Sequence, residues 1–146
     1  MSTSETERTL VIIKPDGVTR GLVGKILDRF EAAGFSLVAL RFATLSGELV
    51  REFYAEHRGK PFYESLVAFM TSAPVVLLGL EGRQAIERAR KLCGKTDPLE
   101  AAPGTIRADY GLDGQRNTIH ASDSADSARR ELALLLPEAL EFESRG

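Results

Sequence analysis

The chain has 146 residues, with 19 basic and 21 acidic side chains and a formal net charge of -2 at pH 7. This length predicts one domain over residues 1–146, with flexible or peripheral ends at 1–7 and 138–146. The balanced charge excludes an overall positive field that would hold nucleic acid or an anionic membrane surface. We therefore expect any phosphate-binding site to be local, with no nucleic-acid or membrane partner required.

The cellular compartment is predicted from cysteine usage and hydropathy. A single cysteine, Cys93, excludes an intrachain disulfide and fits a reducing environment. Residues 1–8 are polar and acidic and lack the apolar segment of a signal peptide, and no run approaches the roughly 18 apolar residues of a membrane span. These features predict a cytoplasmic protein.

The first third of the chain predicts a strand, a helix and a second strand. Thr9–Ile13 is a β-branched, apolar run that ends in the turn signal Lys14-Pro15-Asp16-Gly17. Apolar residues at steps of three and four predict a helix from Leu22 to Phe30, with Gly34 at its C-terminal cap. Phe35–Leu45 predicts a strand that is apolar on both faces, and we expect it to be covered on both sides.

The middle of the chain predicts a helical hairpin, a strand and a helix. The hairpin consists of Glu48–His57 and Pro61–Met70, separated by a glycine-containing break. Pro74–Leu80 follows as a strand and Gly82–Cys93 as an amphipathic helix. No period survives from Lys95 to Arg116, which predicts a loop of about twenty residues, a length typical of functional segments.

The last elements complete the predicted fold. Asn117–Ala121 predicts a strand, and Ala125–Leu136 a helix that Ser122 or Ser124 would cap. The order of elements contains the split βαββαβ arrangement of ferredoxin-like domains. We predict an α/β fold of the α+β sandwich type, with a four-stranded antiparallel sheet and an inserted helical hairpin. An RNA-binding module of this fold would need an aromatic, basic sheet surface, and Pro74–Leu80 contains no aromatic residue.

His120 is the best candidate for a reactive side chain. The chain has two histidines, and the other, His57, lies between charged neighbours in a segment predicted to be solvated surface. Only Asp123 stands near His120 as a further metal ligand, which argues against a metal site there. The residues alone leave two roles open for His120: a structural histidine at the end of a strand, or a base or nucleophile.

The sequence around His120 resembles the active-site signature of nucleoside diphosphate kinases, in which the histidine becomes phosphorylated. The matching string is Asn117-x-x-His120-Ala121-Ser122-Asp123-Ser124. Three further motifs occur in the order of that family: Lys14-Pro15-Asp16-Gly17, Gly21-Leu22-Val23-Gly24 and Pro103-Gly104-Thr105-Ile106-Arg107. The resemblance runs from about Arg8 to Leu136-Pro137, almost the whole chain.

The resemblance implies a phosphotransferase that moves the terminal phosphoryl group of a nucleoside triphosphate to a nucleoside diphosphate by a ping-pong path through phospho-His120. It implies catalytic roles for His120, Glu131, Ser122, Lys14 and Tyr54. It implies nucleotide-binding roles for Lys14, Phe62, Arg90, Thr96, Arg107 and Asn117. It also implies Mg²⁺ held mainly by the nucleotide phosphates, with no direct protein ligand assigned, and a homo-oligomer, either tetramer or hexamer.

The resemblance also implies roles for individual side chains. Glu131 would accept the hydrogen of one His120 ring nitrogen, Ser122 would hydrogen-bond the leaving oxygen, and Phe62 would stack on the base. Without the resemblance, Glu131 would be an exposed helix carboxylate and Ser122 a helix cap. Arg90 and Arg107 would equally be surface charges, Phe62 a core aromatic and Tyr54 a residue of an apolar face.

Three departures from the family pattern motivate an alternative function. Ala121 and Ala108 stand where the family has glycine, and Gly114-Gln115 replaces a commoner apolar-glycine pair. If either alanine position required positive φ, the cost would be on the order of 1 kcal/mol. The alternative is a catalytically weakened family member that acts as a nucleotide-binding or protein-interaction module.

Two further features of the sequence are in tension with this interpretation. Strict strand alternation puts Asn117 and His120 on opposite faces, so Asn117 must precede the regular strand or a bulge must intervene. The string Ala89-x-x-x-x-Gly94-Lys95-Thr96 fits a relaxed phosphate-loop pattern and suggests a P-loop kinase. We do not favour the P-loop interpretation, because a helix rather than a strand is predicted before Gly94.

Overall fold

The computed structural model describes residues 6–143, which form one four-stranded sheet flanked by helices. The strands are β1 (Thr6–Ile13), β2 (Ser36–Ala43), β3 (Val75–Arg83) and β4 (Ile119–Ala121). The helices are α1 (Pro15–Thr19), α2 (Val23–Ala32), α3 (Gly47–Phe53), α4 (Tyr63–Met70), α5 (Ala85–Cys93), α6 (Ile106–Tyr110), α7 (Ala125–Leu135) and α8 (Glu138–Glu141), and a 3-10 turn covers Ala55–His57.

The sheet is antiparallel throughout, in the order β2-β3-β1-β4. Side chains of the two central strands, β1 and β3, alternate between the two faces of the sheet, and both faces are buried. Leu10 and Ile12 of β1 pack into one hydrophobic cluster with α3, α4 and α7. Val11 and Ile13 pack into a second cluster with α2 and α5 on the opposite face. The predicted ferredoxin-like α+β sandwich is confirmed.

Several predicted boundaries are wrong. β3 continues through Arg83, and α5 begins only at Ala85, because Gln84 adopts a left-handed conformation with φ +48° between them. The predicted loop over residues 95–116 contains α6, which Thr105 caps by accepting a hydrogen bond from the Ala108 amide. Such a short helix leaves too little periodicity to be recognised in a sequence.

The ends of the chain differ from the prediction where the structure describes them. Thr6 and Glu7 belong to β1 and pair with Arg83 and Gly82 of β3. Ala139 in α8 is fully buried, so the segment after Pro137 contributes to the core. The predicted peripheral ends therefore begin further out than expected, and residues 1–5 and 144–146 lie outside the described part.

Strand β2 is not covered on both faces as predicted. It is an edge strand of the sheet, and Leu37, Leu40 and Phe42 are 38%, 46% and 61% exposed. A register irregularity between Leu37 and Ala39 brings all three opposite β3 residues of the second hydrophobic cluster, so they lie on one face. The isolated chain consequently presents an apolar strip along an open strand edge.

The helices of residues 6–143 are too short or too polar to cross a membrane.

Candidate active site

A cavity of about 480 Å³ lies between the tip of the α3–α4 hairpin, strand β4 and the segment from residue 94 to residue 117. It gathers nearly every side chain that the sequence analysis selected. The lining includes Lys14, Tyr54, Phe62, Arg90, Thr96, Arg107, Asn117, His120 and Glu131. Ser122 is the exception, because its side chain is fully buried behind His120. Residues 103 positions apart in sequence meet here because β1 and β4 are antiparallel neighbours.

His120 is held by a buried carboxylate. Its Nε2 lies 2.9 Å from Oε1 of Glu131, and only 20% of the His120 side chain is exposed. Glu131 reaches it from α7, which starts just after β4 and packs back against β1. The burial of Glu131, which is 6% exposed, excludes the ordinary surface carboxylate that its helical position alone would suggest.

Ser122 orients this carboxylate. Its hydroxyl donates to Oε1 of Glu131 at 2.7 Å, the same oxygen that faces His120. Ser122 does not line the cavity itself, and its predicted contact with a leaving oxygen stays a prediction. Nor is Ser122 the helix cap: Ser124 caps α7 by accepting from the Ser127 amide at 3.0 Å.

The surroundings of His120 favour a neutral imidazole. Burial lowers the His120 pKa, with smaller contributions from the charges of Lys14 and Arg107, and outweighs the opposing effect of Glu131. A neutral ring has one protonated nitrogen, and the carboxylate beside Nε2 selects that nitrogen as the donor. Nδ1 is then unprotonated and free to act as a nucleophile at neutral pH.

Two buried cations stand close to His120. Lys14, 7% exposed, donates from Nζ to Oδ1 of Asn117 at 2.8 Å. Burial, aided by the charge of Arg107, lowers the Lys14 pKa to about 8. Arg107 donates to the carbonyls of Gly94 and Ile119 at 2.7 and 2.6 Å, while its Nε is buried without a partner among the described residues. These cations provide a local positive site in a chain of negative net charge.

The remaining phosphate candidates complete one wall of the cavity. Arg90 is exposed at the end of α5 and donates to the Ala121 carbonyl at 2.9 Å. Thr96 is exposed and its carbonyl accepts from Nδ2 of Asn117 at 2.9 Å. Asn117 thus joins the segment around Thr96 to Lys14, and it is 1% exposed.

The hairpin tip forms the opposite wall. Tyr54 is buried, and burial together with the Glu131 charge raises the pKa of its hydroxyl, which therefore stays protonated. Phe62 is 45% exposed at the mouth of the cavity, as expected of a surface on which a base could stack. Phe53 packs edge-on against the His120 ring, with 5.1 Å between the ring centres.

His57 is a cavity residue that the sequence analysis missed. Its ring centre lies 6.1 Å from that of Tyr54 and 5.3 Å from that of Phe62. His57 is half-buried, so it is not the fully solvated surface histidine that was predicted. The three-residue spacing from Tyr54 was the available signal, since residues three apart on a helical turn share a face.

The two alanines that replace family glycines cause no backbone strain. Among residues 6–143, only Gln84 and Thr118 combine positive φ with a side chain. Ala108 lies within α6, and Ala121 lies within β4 with 1% exposure. Neither position requires the left-handed conformation that would favour glycine. The expected cost of about 1 kcal/mol therefore does not arise.

The phosphate-loop interpretation of residues 89–96 is contradicted. Gly94, with φ +89°, ends helix α5 instead of preceding a helix. Lys95 lines a neighbouring cleft, of about 980 Å³, and not the cavity around His120. No helix N-terminus follows to receive a phosphate, because α6 begins only at Ile106.

Carboxylates in the cavity lining could contact a magnesium ion carried by a nucleotide. Within residues 6–143 there is no group of three histidine, cysteine or acidic side chains that could hold a metal. Mg²⁺ commonly binds through substrate phosphates, water and one or two carboxylates. Asp123 lines the cavity with an exposed carboxylate, and its pKa is lowered by the hydrogen bond to Ser127. The lining also contains the exposed carboxylate of Glu56, so two exposed carboxylates could contact such an ion.

Comparison with known proteins gives the family. The model of the nucleoside diphosphate kinase family matches residues 7–140. The chain is 56% identical over 128 residues to the nucleoside diphosphate kinase of Pelotomaculum thermopropionicum, covering 88% of this chain and 86% of that protein. It is 57% identical over 134 residues to the enzyme of Nocardia farcinica, covering 91% and 96%.

Solved structures agree with the sequence match. The nucleoside diphosphate kinase of Aquifex aeolicus has a TM-score of 0.90 at 47% identity, covering 95% of this chain and 100% of that one. That of Halobacterium salinarum, solved in complex with CDP, has a TM-score of 0.92 at 46% identity, covering 97% and 94%. The chain therefore belongs to the nucleoside diphosphate kinase family of phosphotransferase enzymes.

Proposed function

We propose that this enzyme transfers the terminal phosphoryl group of a nucleoside triphosphate to a nucleoside diphosphate through phospho-His120. The observation that carries the proposal is the contact between Nε2 of His120 and Oε1 of Glu131 at 2.9 Å inside a cavity that also holds Lys14 and Arg107. Phosphoryl transfer between nucleotides is supported by the family. The covalent path is our interpretation of the site geometry.

The reaction proceeds in two half-reactions. The Nδ1 lone pair attacks the γ-phosphorus, an N–P bond forms, and the P–O bond to the β-phosphate breaks, with its electron pair leaving on the diphosphate. As Nδ1 becomes bonded to phosphorus, the ring gains positive charge, which the Glu131 carboxylate stabilises through Nε2–H. The first diphosphate leaves, a second binds, and its terminal oxygen takes the phosphoryl group from Nδ1.

The other side chains bind and orient the substrate. Arg107, Arg90 and Lys14 would supply cationic hydrogen-bond donors to the phosphates, with Thr96 and Asn117 beside them. When bound by the phosphates, Mg²⁺ would neutralise part of their charge, and Asp123 and Glu56 are the exposed cavity carboxylates that could contact it. The half-exposed ring of Phe62 offers one face to the base, as a stacking surface without base-specific hydrogen bonds.

Initial-rate kinetics test this function. With ATP as donor and GDP, CDP or UDP as acceptor, we expect parallel lines in double-reciprocal plots and activity with purine and pyrimidine acceptors alike. Intersecting lines would exclude a ping-pong path. A preference for one base above about a thousandfold would contradict stacking as the base contact. The alternative function, a weakened family member that only binds nucleotides or proteins, predicts binding of ADP without exchange.

Nucleotide binding is expected to weaken as pH rises above about 8. The Lys14 pKa of about 8 means that its charge, present at pH 7, is lost across this range, together with its attraction for phosphate. Calorimetric titration of ADP from pH 7 to 9.5 measures the effect, and Lys14→Met should show no such change. An affinity of the unmodified enzyme that stays constant over this range would contradict the assignment.

The titration of Lys14 does not destabilise the fold over the same pH range. The folded-state pKa of Lys14 is depressed below its ordinary value of 10.5, so between pH 8 and about 10.5 the unfolded chain binds more protons than the folded one at this group. The contribution of Lys14 to the free energy of unfolding therefore increases with pH in that window.

We also propose that the enzyme is a homo-oligomer, a tetramer or hexamer. The exposed strip of Leu37, Leu40 and Phe42 lies along the open edge of β2, where a second copy could pair and cover it. Light scattering at micromolar concentration should give the mass of a tetramer or hexamer, and Leu40→Asp/Phe42→Asp should give smaller species. A stable monomer of the unmodified chain would refute this proposal.

A further inference from the structure

Asn117 and His120 reach the same cavity although they are three residues apart at a strand. In regular β structure, side chains three apart point to opposite faces. Here the regular strand β4 starts only at Ile119, and both Asn117 and His120 line the cavity. The backbone between them must therefore contain a feature that reverses the direction of Asn117.

That feature is a γ-turn centred on Thr118. The Ile119 amide donates to the Asn117 carbonyl at 2.9 Å, which closes a three-residue turn. Thr118 has φ +77°, a value that β-branched residues rarely adopt and that characterises the rarer, strained form of the γ-turn. A strained residue persists only where the surrounding structure holds it.

The segment after β1 stabilises this turn through one hydrogen bond to its backbone and one to its side chain. The Lys14 amide donates to the Thr118 carbonyl at 2.8 Å. The Thr118 hydroxyl donates to Oδ2 of Asp16 at 3.2 Å, and Thr118 is fully buried. The Asp16 carboxylate is itself 7% exposed, and burial raises its pKa.

Gly17 provides the space for this packing. A Cβ at Gly17 would lie 2.9 Å from Cγ2 of Ile13, 3.1 Å from Cγ2 of Thr118 and 3.2 Å from the Thr118 carbonyl oxygen. These separations are too short for ordinary contacts, so a larger residue would push the turn away. The Lys14-Pro15-Asp16-Gly17 segment therefore does more than end a strand and present Lys14.

We infer that Asp16 and Thr118 are positioning residues of the nucleotide site: their hydrogen bond fixes the turn that directs Asn117 into the cavity beside His120. Asn117 in turn contacts Nζ of Lys14 at 2.8 Å and the carbonyls of Thr96 and Gly114 at 2.9 and 3.1 Å. A shifted Asn117 would thus disturb the phosphate-binding groups around it. The His120 ring depends on Glu131 instead, and it should keep its place.

The experiment measures how two phosphoryl donors phosphorylate the variants Thr118→Val and Thr118→Ser. It rests on the proposed phosphorylation of His120. Valine keeps the β-branched shape without the hydroxyl, and serine keeps the hydroxyl. We expect Thr118→Val to lower ADP affinity and the rate of His120 phosphorylation by ATP by about tenfold. Phosphorylation by phosphoramidate, which has no α- or β-phosphate to be bound by these groups, should change by less than about twofold. Thr118→Ser should stay close to the unmodified enzyme with both donors.

A second pair of variants approaches the same bond from its acceptor and remains informative if Thr118→Val does not fold. Asp16→Ala removes the acceptor, and Asp16→Asn retains an oxygen that accepts from the hydroxyl. The alanine variant should reproduce the donor-dependent loss, and the asparagine variant should recover most of it.

Three outcomes would overturn the inference. Unchanged ADP affinity in Thr118→Val and Asp16→Ala would show that the bond does not position the site. An equal loss with both donors would indicate a general structural role for the turn. If the unmodified enzyme takes up no phosphate on His120 from ATP, both the proposed function and the inference fail, whereas the first two outcomes leave that phosphorylation intact and defeat the inference alone.

Discussion

Replacing His120 by glutamine is expected to lower phosphoryl exchange between nucleotides by more than about a thousandfold, because the covalent path loses its only acceptor atom. Glutamine is similar in size and still presents a hydrogen-bond donor to Glu131, so the fold should survive. Coupled assays of ADP formation from ATP and a second diphosphate measure the loss. Circular dichroism and thermal unfolding of the variant establish that it is folded.

His57→Gln is the matched control, since His57 is the other histidine and also lines the cavity. This variant keeps His120 and its contact with Glu131, and it should therefore still form phosphoenzyme from ATP. The assignment would be wrong if His57→Gln lost phosphoenzyme formation while His120→Gln retained it.

The second large effect on activity is expected at Lys14, and it distinguishes this lysine from Lys95. Lys14→Met should cut activity by tenfold to over a hundredfold, as expected for the loss of a charge-assisted contact of roughly 1.5 to 3 kcal/mol or more. Lys14 is buried beside His120 and contacts Asn117 at 2.8 Å. Methionine fills the space of the lysine stem without its charge, so the variant loses the interaction with phosphate and the hydrogen bond to Asn117 but keeps the packing of the stem.

Lys95→Met is the control for this variant. Lys95 is exposed on the neighbouring cleft, so its replacement should change the rate little. In a P-loop enzyme the order would be reversed, because Lys95 would contact the β- and γ-phosphates. An inactive Lys95→Met beside an active Lys14→Met would overturn the assignment of the site.

Much of the fold could be predicted because its central elements carry clear periodicities. β1 and β3 each contain a continuous apolar run buried on both faces, and α2 and α7 have amphipathic spacing with recognisable ends at Gly34 and Pro137. The covering of β2 was predicted wrongly because apolar side chains on an edge strand look the same in sequence whether helices or another copy of the chain cover them.

The site was predictable only through the resemblance of its motifs. In the sequence, Glu131 is one of several charged residues of α7, and its spacing does not show that its side chain contacts His120. The positive φ of Thr118 could not be predicted from the sequence, because β-branched residues such as threonine rarely adopt it. That one backbone angle resolves the conflict between strand alternation and the common orientation of Asn117 and His120.

The chemistry of the phosphorylated protein tests the central claim most directly. After incubation with γ-labelled ATP and removal of nucleotide, the label should be on the protein, absent from His120→Gln, lost in acid and retained in alkali, as a phosphohistidine requires. Added GDP or CDP should remove it as labelled triphosphate. A label that resists acid and is lost in alkali, or one that persists in His120→Gln, would contradict phosphoryl transfer through His120.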